Sequence, residues 1–182
     1  MKHKIIDNFL SAEEFYNLKT LVESNEFAWY YQTGVAYSLF NTVTSDDKPV
    51  QNDVFNPDSN KHNWFFTHVL YDEHSIKTNE NVWNAIQPLL NKLKTKALIR
   101  IKANCYTRTP SIIKHDFHVD YKWKQKGCIF YINTNNGLTI LEDGTEIKSI
   151  ENRAVILDTG KPHASTSVTN KDRRLNLNIN YF

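Results

Sequence analysis

The chain is poor in the residues that dominate specialised folds. It has two cysteines, five glycines, five prolines and one methionine in 182 residues. Cys105 and Cys128 show no short metal-type spacing, so a cysteine-based zinc site is not indicated. At this length about 70% of the unfolded surface can be buried, so no covalent staple is needed. Hydrophobic residues make up 40% and charged residues 23%, which excludes a collagen, a disordered chain and a coiled coil. No run of about 18 apolar residues occurs, so no membrane-spanning helix is expected. Neither sign of charge dominates: 22 Lys and Arg face 20 Asp and Glu, for a net +2. A protein that binds polyanions over its whole surface is excluded, while a local basic patch stays open. Met1-Lys2-His3-Lys4-Ile5-Ile6-Asp7 reaches an acid before any useful apolar stretch, so no secretory leader is read. The expectation is one domain over 1–182, in a reducing cytoplasm.

What is present divides into two halves. Ser11-Ala12-Glu13-Glu14 is a capping box, flanked by Leu10 and Phe15 as a hydrophobic staple. Phe15, Leu18, Leu21 and Val22 keep helical spacing, predicting a helix over 11–24 after a short strand over 4–9. Phe27–Tyr31 reads as a buried aromatic strand. Residues 41–63 are polar and rich in Asn, Asp and Pro, and read as a long functional loop. Val82, Trp83, Ile86, Leu89, Leu90 and Leu93 form a second helical stripe, with Pro88 as a kink or a new start. From about residue 97 the period changes to two. Strands are predicted over 98–107, 128–133, 138–141, 153–158 and 174–182, separated by Asn-, Gly- and Pro-containing turns. The expected class is mainly β with N-terminal helices, a sandwich or barrel over 97–182 backed by helices from 1–96.

His118-Val119-Asp120 is the segment with chemical content. In an extended strand residues two apart share a face, so the imidazole and the carboxylate meet one point. A second histidine would complete a 2-His-1-carboxylate set for non-haem Fe(II) with open positions. The triplet alone also fits an ordinary surface or core histidine. His163 follows a predicted strand and the turn Thr159-Gly160-Lys161-Pro162. Arg174 opens the last strand, and arginine suits bidentate capture of a carboxylate.

His118-x-Asp120, His163 and a basic residue about ten positions on resemble the pattern of the Fe(II)- and 2-oxoglutarate-dependent dioxygenases. Asn104-Cys105-Tyr106, Cys128–Asn133 and Gly137-Leu138-Thr139 resemble strands of prolyl-hydroxylase-like members. The opening Asp-Asn-Phe-Leu and the closing Arg-Leu-Asn-Leu-Asn-Ile-Asn-Tyr-Phe resemble small dioxygenases of phages and marine bacteria, which would place the protein in a host cytoplasm if phage-encoded. The resemblance implies a double-stranded β-helix, or jelly roll. It implies His118, Asp120 and His163 as catalytic iron ligands, with Arg174 on the distal carboxylate of 2-oxoglutarate. Tyr106, Tyr131, Asn104 and Thr139 fall at cosubstrate-facing positions. Strand phase separates Arg174, Asn176, Asn178 and Asn180 from Arg173, Leu175, Leu177, Ile179 and Tyr181, and the polar face suits the cavity. His115, three residues before His118, reads as solvated or supporting, not as a ligand. Cys105 and Cys128 read as small buried hydrophobes on adjacent strands.

The implied reaction couples decarboxylation of 2-oxoglutarate, with O2, to hydroxylation of a second substrate, releasing succinate and CO2; ascorbate is an optional reductant. A peptide or protein side chain or a small metabolite is the favoured substrate. A nucleic-acid demethylase is the alternative, and Lys122-Trp123-Lys124-Gln125-Lys126 would be its basic, stacking rim or else a solvated turn. Asn180, where that branch carries a second arginine, counts against it. A non-catalytic jelly-roll binding module is the alternative from another class.

Overall fold

The structure, a computed structural model, describes residues 3–35 and 64–182. The expected loop over 41–63 lies outside the described residues. The elements are β1 (Lys4–Ile6), α1 (Ala12–Glu23), β2 (Tyr30–Gln32), β3 (Phe65–Asp72), β4 (Ser75–Ile76), α2 (Glu80–Leu93), β5 (Leu98–Thr107), β6 (Lys126–Tyr131), β7 (Leu138–Leu141), β8 (Glu146–Lys148), β9 (Arg153–Leu157), β10 (His163–Ser165) and β11 (Arg173–Tyr181).

The first helix starts where its capping box places it. The Ser11 hydroxyl accepts from the Glu14 amide while the Glu14 carboxylate accepts from the Ser11 amide, which satisfies two otherwise orphaned donors. Asn79 caps α2 through the Val82 amide. Pro88 lies inside α2 without ending it. The aromatic run behaves differently from expectation. The strand there is Tyr30–Gln32, and it is exposed. Only Phe27 is fully buried, packed on the rings of Trp29 and His68.

Two antiparallel sheets form the body. The larger runs β1-β9-β6-β11-β5-β3-β2, with β4 on the end of β3, and the smaller runs β10-β7-β8. Strands from the first half therefore close both ends of a sheet centred on the second half. β11 is paired on both sides, with β5 and with β6. Cys105 and Cys128 are buried and unpaired, but β11 lies between their strands, so they are not on adjacent strands. Burial raises their thiols to about 11 and about 12, which makes them inert.

One face of the large sheet packs against the helices. Leu175, Leu177, Ile179 and Tyr181 join Leu18 and Val22 of α1 and Ile86, Leu89 and Leu90 of α2 in one apolar core. The other face turns toward the small sheet, where Ile129, Tyr131, Ile147, Val155 and Leu157 make a second, smaller core. The architecture is a double-stranded β-helix with helices on its outer side. No helix among the described residues is long and apolar enough to cross a membrane.

Candidate metal and cosubstrate site

The inner face is where the polar residues gather. On β11, Arg174 and Asn180 have no exposure, and Asn176 and Asn178 are buried. The alternation of the strand sends these four inward and their apolar neighbours toward the helices. Arg173, the competing arginine, is on the helix side and donates from Nη2 to the Glu23 carbonyl.

His118, Asp120 and His163 come together at one end of this face, their ligand atoms within 4.8 Å of one another. His118 is not in a regular strand. It pairs in a single antiparallel bridge with His163 on β10, with N···O distances of 3.0 Å in both directions. The Asp120 amide donates to the Thr159 carbonyl, 3.0 Å. The two segments bearing the triad are therefore held backbone to backbone, independent of any ion. Nδ1 of His163 lies 3.0 Å from the Lys161 carbonyl. A carbonyl only accepts, so Nδ1 carries the proton and Nε2 keeps its lone pair for a metal. Burial first, then His163, lowers the His118 imidazole to about 4, with Asp120 and the Asp116 backbone opposing. Burial pushes the Asp120 carboxyl up, but His163, Arg100, His118 and the Asn178 bond outweigh it and leave it below the usual range. His118 is thus held neutral close to an ionised Asp120, the protonation a metal requires of such ligands.

Asp120 is oriented by two donors. Asn178 Nδ2 lies 3.1 Å from Oδ2, and Arg100 Nη2 lies 3.5 Å from Oδ1. Such outer contacts fix ligand direction and affinity.

Arg174 lies deeper in the fold. Its Nε donates to Ser149 Oγ (2.9 Å) and its Nη2 to Thr139 Oγ1 (3.1 Å). The Tyr131 hydroxyl also donates to Thr139 Oγ1, 2.7 Å. The guanidinium carbon lies 5.0 Å from the Tyr106 ring centre and 5.7 Å from that of Tyr131. Gly137 leaves room for this side chain: a Cβ there would come 2.4 Å from Arg174 Cδ. Nη1 is buried without a partner, and no described residue forms an ion pair with Arg174. A fully buried cation with an unspent donor fits an external carboxylate. The triad fits a divalent non-haem metal, because nitrogen and oxygen donors at this spacing leave positions open.

His118, His163, Arg174, Tyr106, Thr139 and Asn104 all border one cavity of about 30 Å³. Asn104 donates from Nδ2 to Asn176 Oδ1 (3.0 Å), and its own Oδ1 is unpartnered. Two larger surface cavities, about 640 and 340 Å³, contain none of the triad.

Of the two readings of His115, the structure excludes the solvated one and keeps the supporting one. It is buried, its ring stacks on Tyr106 at 5.5 Å, and Nδ1 bonds Ser165 Oγ at 2.8 Å. The stretch before His118 is not a regular strand, so counting by twos fails there. Burial first, then Arg174 and His118, lowers the His115 imidazole to about 4. Ser149 and Ser165 carried no signal in the sequence. Arg100 and Lys102 did, because they continue the phase of Asn104 and Tyr106. The basic run at 122–126 is not a uniformly solvated turn: Gln125 is buried, with Nε2 2.9 Å from Thr159 Oγ1.

No protein-family model matches the chain, and no curated protein matches it by sequence. Solved structures do match. The viral collagen prolyl hydroxylase of Paramecium bursaria Chlorella virus-1, in its 2-oxoglutarate complex, gives a TM-score of 0.51 at 13% identity, covering 99% of this chain and 94% of that one. A prolyl hydroxylase in complex with a hypoxia-inducible-factor peptide, from Trichoplax adhaerens, gives 0.55 at 12%, covering 99% and 83%. The non-haem α-ketoglutarate-dependent epimerase of nogalamycin biosynthesis gives 0.58 at 10%, covering 99% and 77%. At such identities the likeness is one of fold, and the fold of this chain is the double-stranded β-helix of the Fe(II)/2-oxoglutarate oxygenases.

Proposed function

We propose that the protein is an Fe(II)- and 2-oxoglutarate-dependent dioxygenase that hydroxylates a peptide or protein side chain or a small metabolite. The observation that carries this is the buried Arg174, its Nη1 unpartnered, bordering the same cavity as His118 and His163. His118, Asp120 and His163 would hold the iron. Bound there, iron and 2-oxoglutarate supply the oxidising chemistry, with succinate and CO2 as coproducts.

The chain's own residues do the rest. Arg174 takes the distal carboxylate, braced by Ser149 and Thr139 so that its guanidinium need not reorganise. Tyr106 and Tyr131 flank it. Burial raises both phenols, so they stay neutral donors at physiological pH. Lys161 and Asn178 hold His163 and Asp120 in their ligating orientations. Ile129 and Ala164 supply apolar wall to the cavity, which limits water near the metal. The peptide preference is supported by the prolyl hydroxylases among the similar structures.

Protein purified without oxygen and then given Fe(II), 2-oxoglutarate and O2 should form succinate, and His118→Ala should abolish it. Arg174→Met should raise the 2-oxoglutarate requirement about ten- to hundredfold, since hydrogen bonds to charged groups are worth about 1.5–3 kcal/mol. Absence of succinate, or unchanged 2-oxoglutarate dependence in Arg174→Met, overturns the reading.

A further inference from the structure

Two half-buried cations, Arg100 and Lys102, are not engaged by the cosubstrate in the proposed chemistry. Arg100 and Lys102 are two apart on β5 and share its inner face with Asn104 and Tyr106. The register places Lys102 beside Asn178 and Arg100 beside Asn180, while Tyr106 is beside Arg174. Four residues of strand, about 13 Å, separate the Lys102 position from the Arg174 position. These are two different anion-attracting ends of one face, with the Asp120 partner Asn178 at the Lys102 end.

Among the described residues, Asp120 is the one carboxylate that pairs with either cation, and it pairs with Arg100 alone. Arg100 approaches Asp120 at 3.5 Å, but its Nε is buried without a partner. Its guanidinium lies 5.2 Å over the Tyr121 ring, and Tyr121 in turn packs against the exposed Trp123 at 4.8 Å. Lys102 Nζ lies 5.6 Å over the Phe65 ring, and no described residue forms an ion pair with it. Burial, reinforced by Arg100 and opposed by Asp120, lowers the Lys102 ammonium to about 8. Asp120 is the carboxylate that faces both, and in the proposed enzyme it is committed to the metal. Fe(II), Asp120, a 2-oxoglutarate dianion and Arg174 together balance to zero charge. Among the described residues nothing else then compensates Arg100 and Lys102, which is costly in a half-buried site unless a further anion arrives.

We propose that the primary substrate carries an anionic oxygen group, a carboxylate or phosphate, that pairs with Arg100 and Lys102, with Tyr121 and Trp123 forming the wall beside it. This rests on the function proposed above and narrows its substrate to acidic molecules.

The test is binding. Protein loaded with Mn(II) and saturated with 2-oxoglutarate is titrated calorimetrically with N-acetyl-L-aspartate, O-phospho-L-serine and a capped peptide carrying one aspartate. Aspartate diamide, N-acetylated, is the uncharged control. At least one anionic probe should bind ten times more tightly than the diamide, and which one does so identifies the source as small acid, phosphate or peptide. Lys102→Met and Arg100→Met should each remove most of that preference, and Lys102→Arg should keep it. The wild-type comparison needs no variant, so it stands whether or not the variants fold. Equal or absent binding of the charged probes, or a preference that survives both methionine variants, overturns the proposal. Failure of 2-oxoglutarate itself to bind in the same titrations overturns the dioxygenase reading instead.

Discussion

The two faces of β11 are made by one strand and carry opposite loads. Toward the helices, Leu175, Leu177 and Ile179 are fully buried and belong to the large apolar core. Toward the small sheet, Arg174, Asn176, Asn178 and Asn180 are just as buried. Yet Nη1 of Arg174, Oδ1 of Asn178 and Nδ2 of Asn180 have no partner, nor does Oδ1 of Asn104 on the neighbouring strand. Each such group costs about 1–3 kcal/mol. The apolar face stabilises the fold, and the polar face is tolerated because the other holds. These unspent donors and acceptors lie on the face where the proposed metal and cosubstrate would bind.

The sharpest break is on the apolar face. Leu177→Ala should cost about 2–5 kcal/mol of stability, read as a shift in urea midpoint. The Mn(II) affinity of the folded fraction should stay within twofold. A large change in metal affinity would show that the two faces are coupled rather than separate.

Acid should attack the polar face first. An unfolded histidine takes a proton near 6.5, whereas folded His115 refuses it until about 4. Between those values the unfolded state binds more protons, so stability is full above about 6.5 and falls as pH drops toward 4. A shift of this size corresponds to a contribution on the order of 3 kcal/mol. Urea unfolding of metal-free protein at pH 7 and pH 5 samples the upper part of that loss, and because His118 is lowered to about 4 as well, His115→Gln should cut the difference by about half. An unchanged slope would place the acid sensitivity elsewhere.

The smallest effect tests orientation alone. Asn178→Ala removes one donor from Asp120 Oδ2 and should weaken Mn(II) about 10–100-fold, with a minor change in urea midpoint. Unaltered metal affinity would mean that Arg100 suffices to hold the carboxylate.

Much of this was legible from order along the chain. The capping box, the period-two strands over 98–107 and 138–141, and the assignment of Arg174 rather than Arg173 to the inner face follow from local rules that hold wherever backbone geometry is regular. Legibility failed where geometry was irregular. His115 lies in a bridge-and-bend segment, so its direction is set by Ser165 and Tyr106 and not by its distance from His118. The strand at 30–32 is exposed although its neighbourhood is aromatic, because it pairs at the sheet edge with β3.

By itself, then, the sequence determined which side chains share a face, because alternation along a strand is a property of the backbone. It supplied the H-x-D triplet and the scarcity of cysteine, glycine and proline that leaves a hydrogen-bonded, apolar-cored β fold as the solution. Tertiary structure alone decided that β11 separates Cys105 from Cys128, that His163 meets His118 across a bridge, and that Arg100 and Lys102 face one carboxylate. Those depend on which strands become neighbours, and strand order is a long-range choice that no local period encodes.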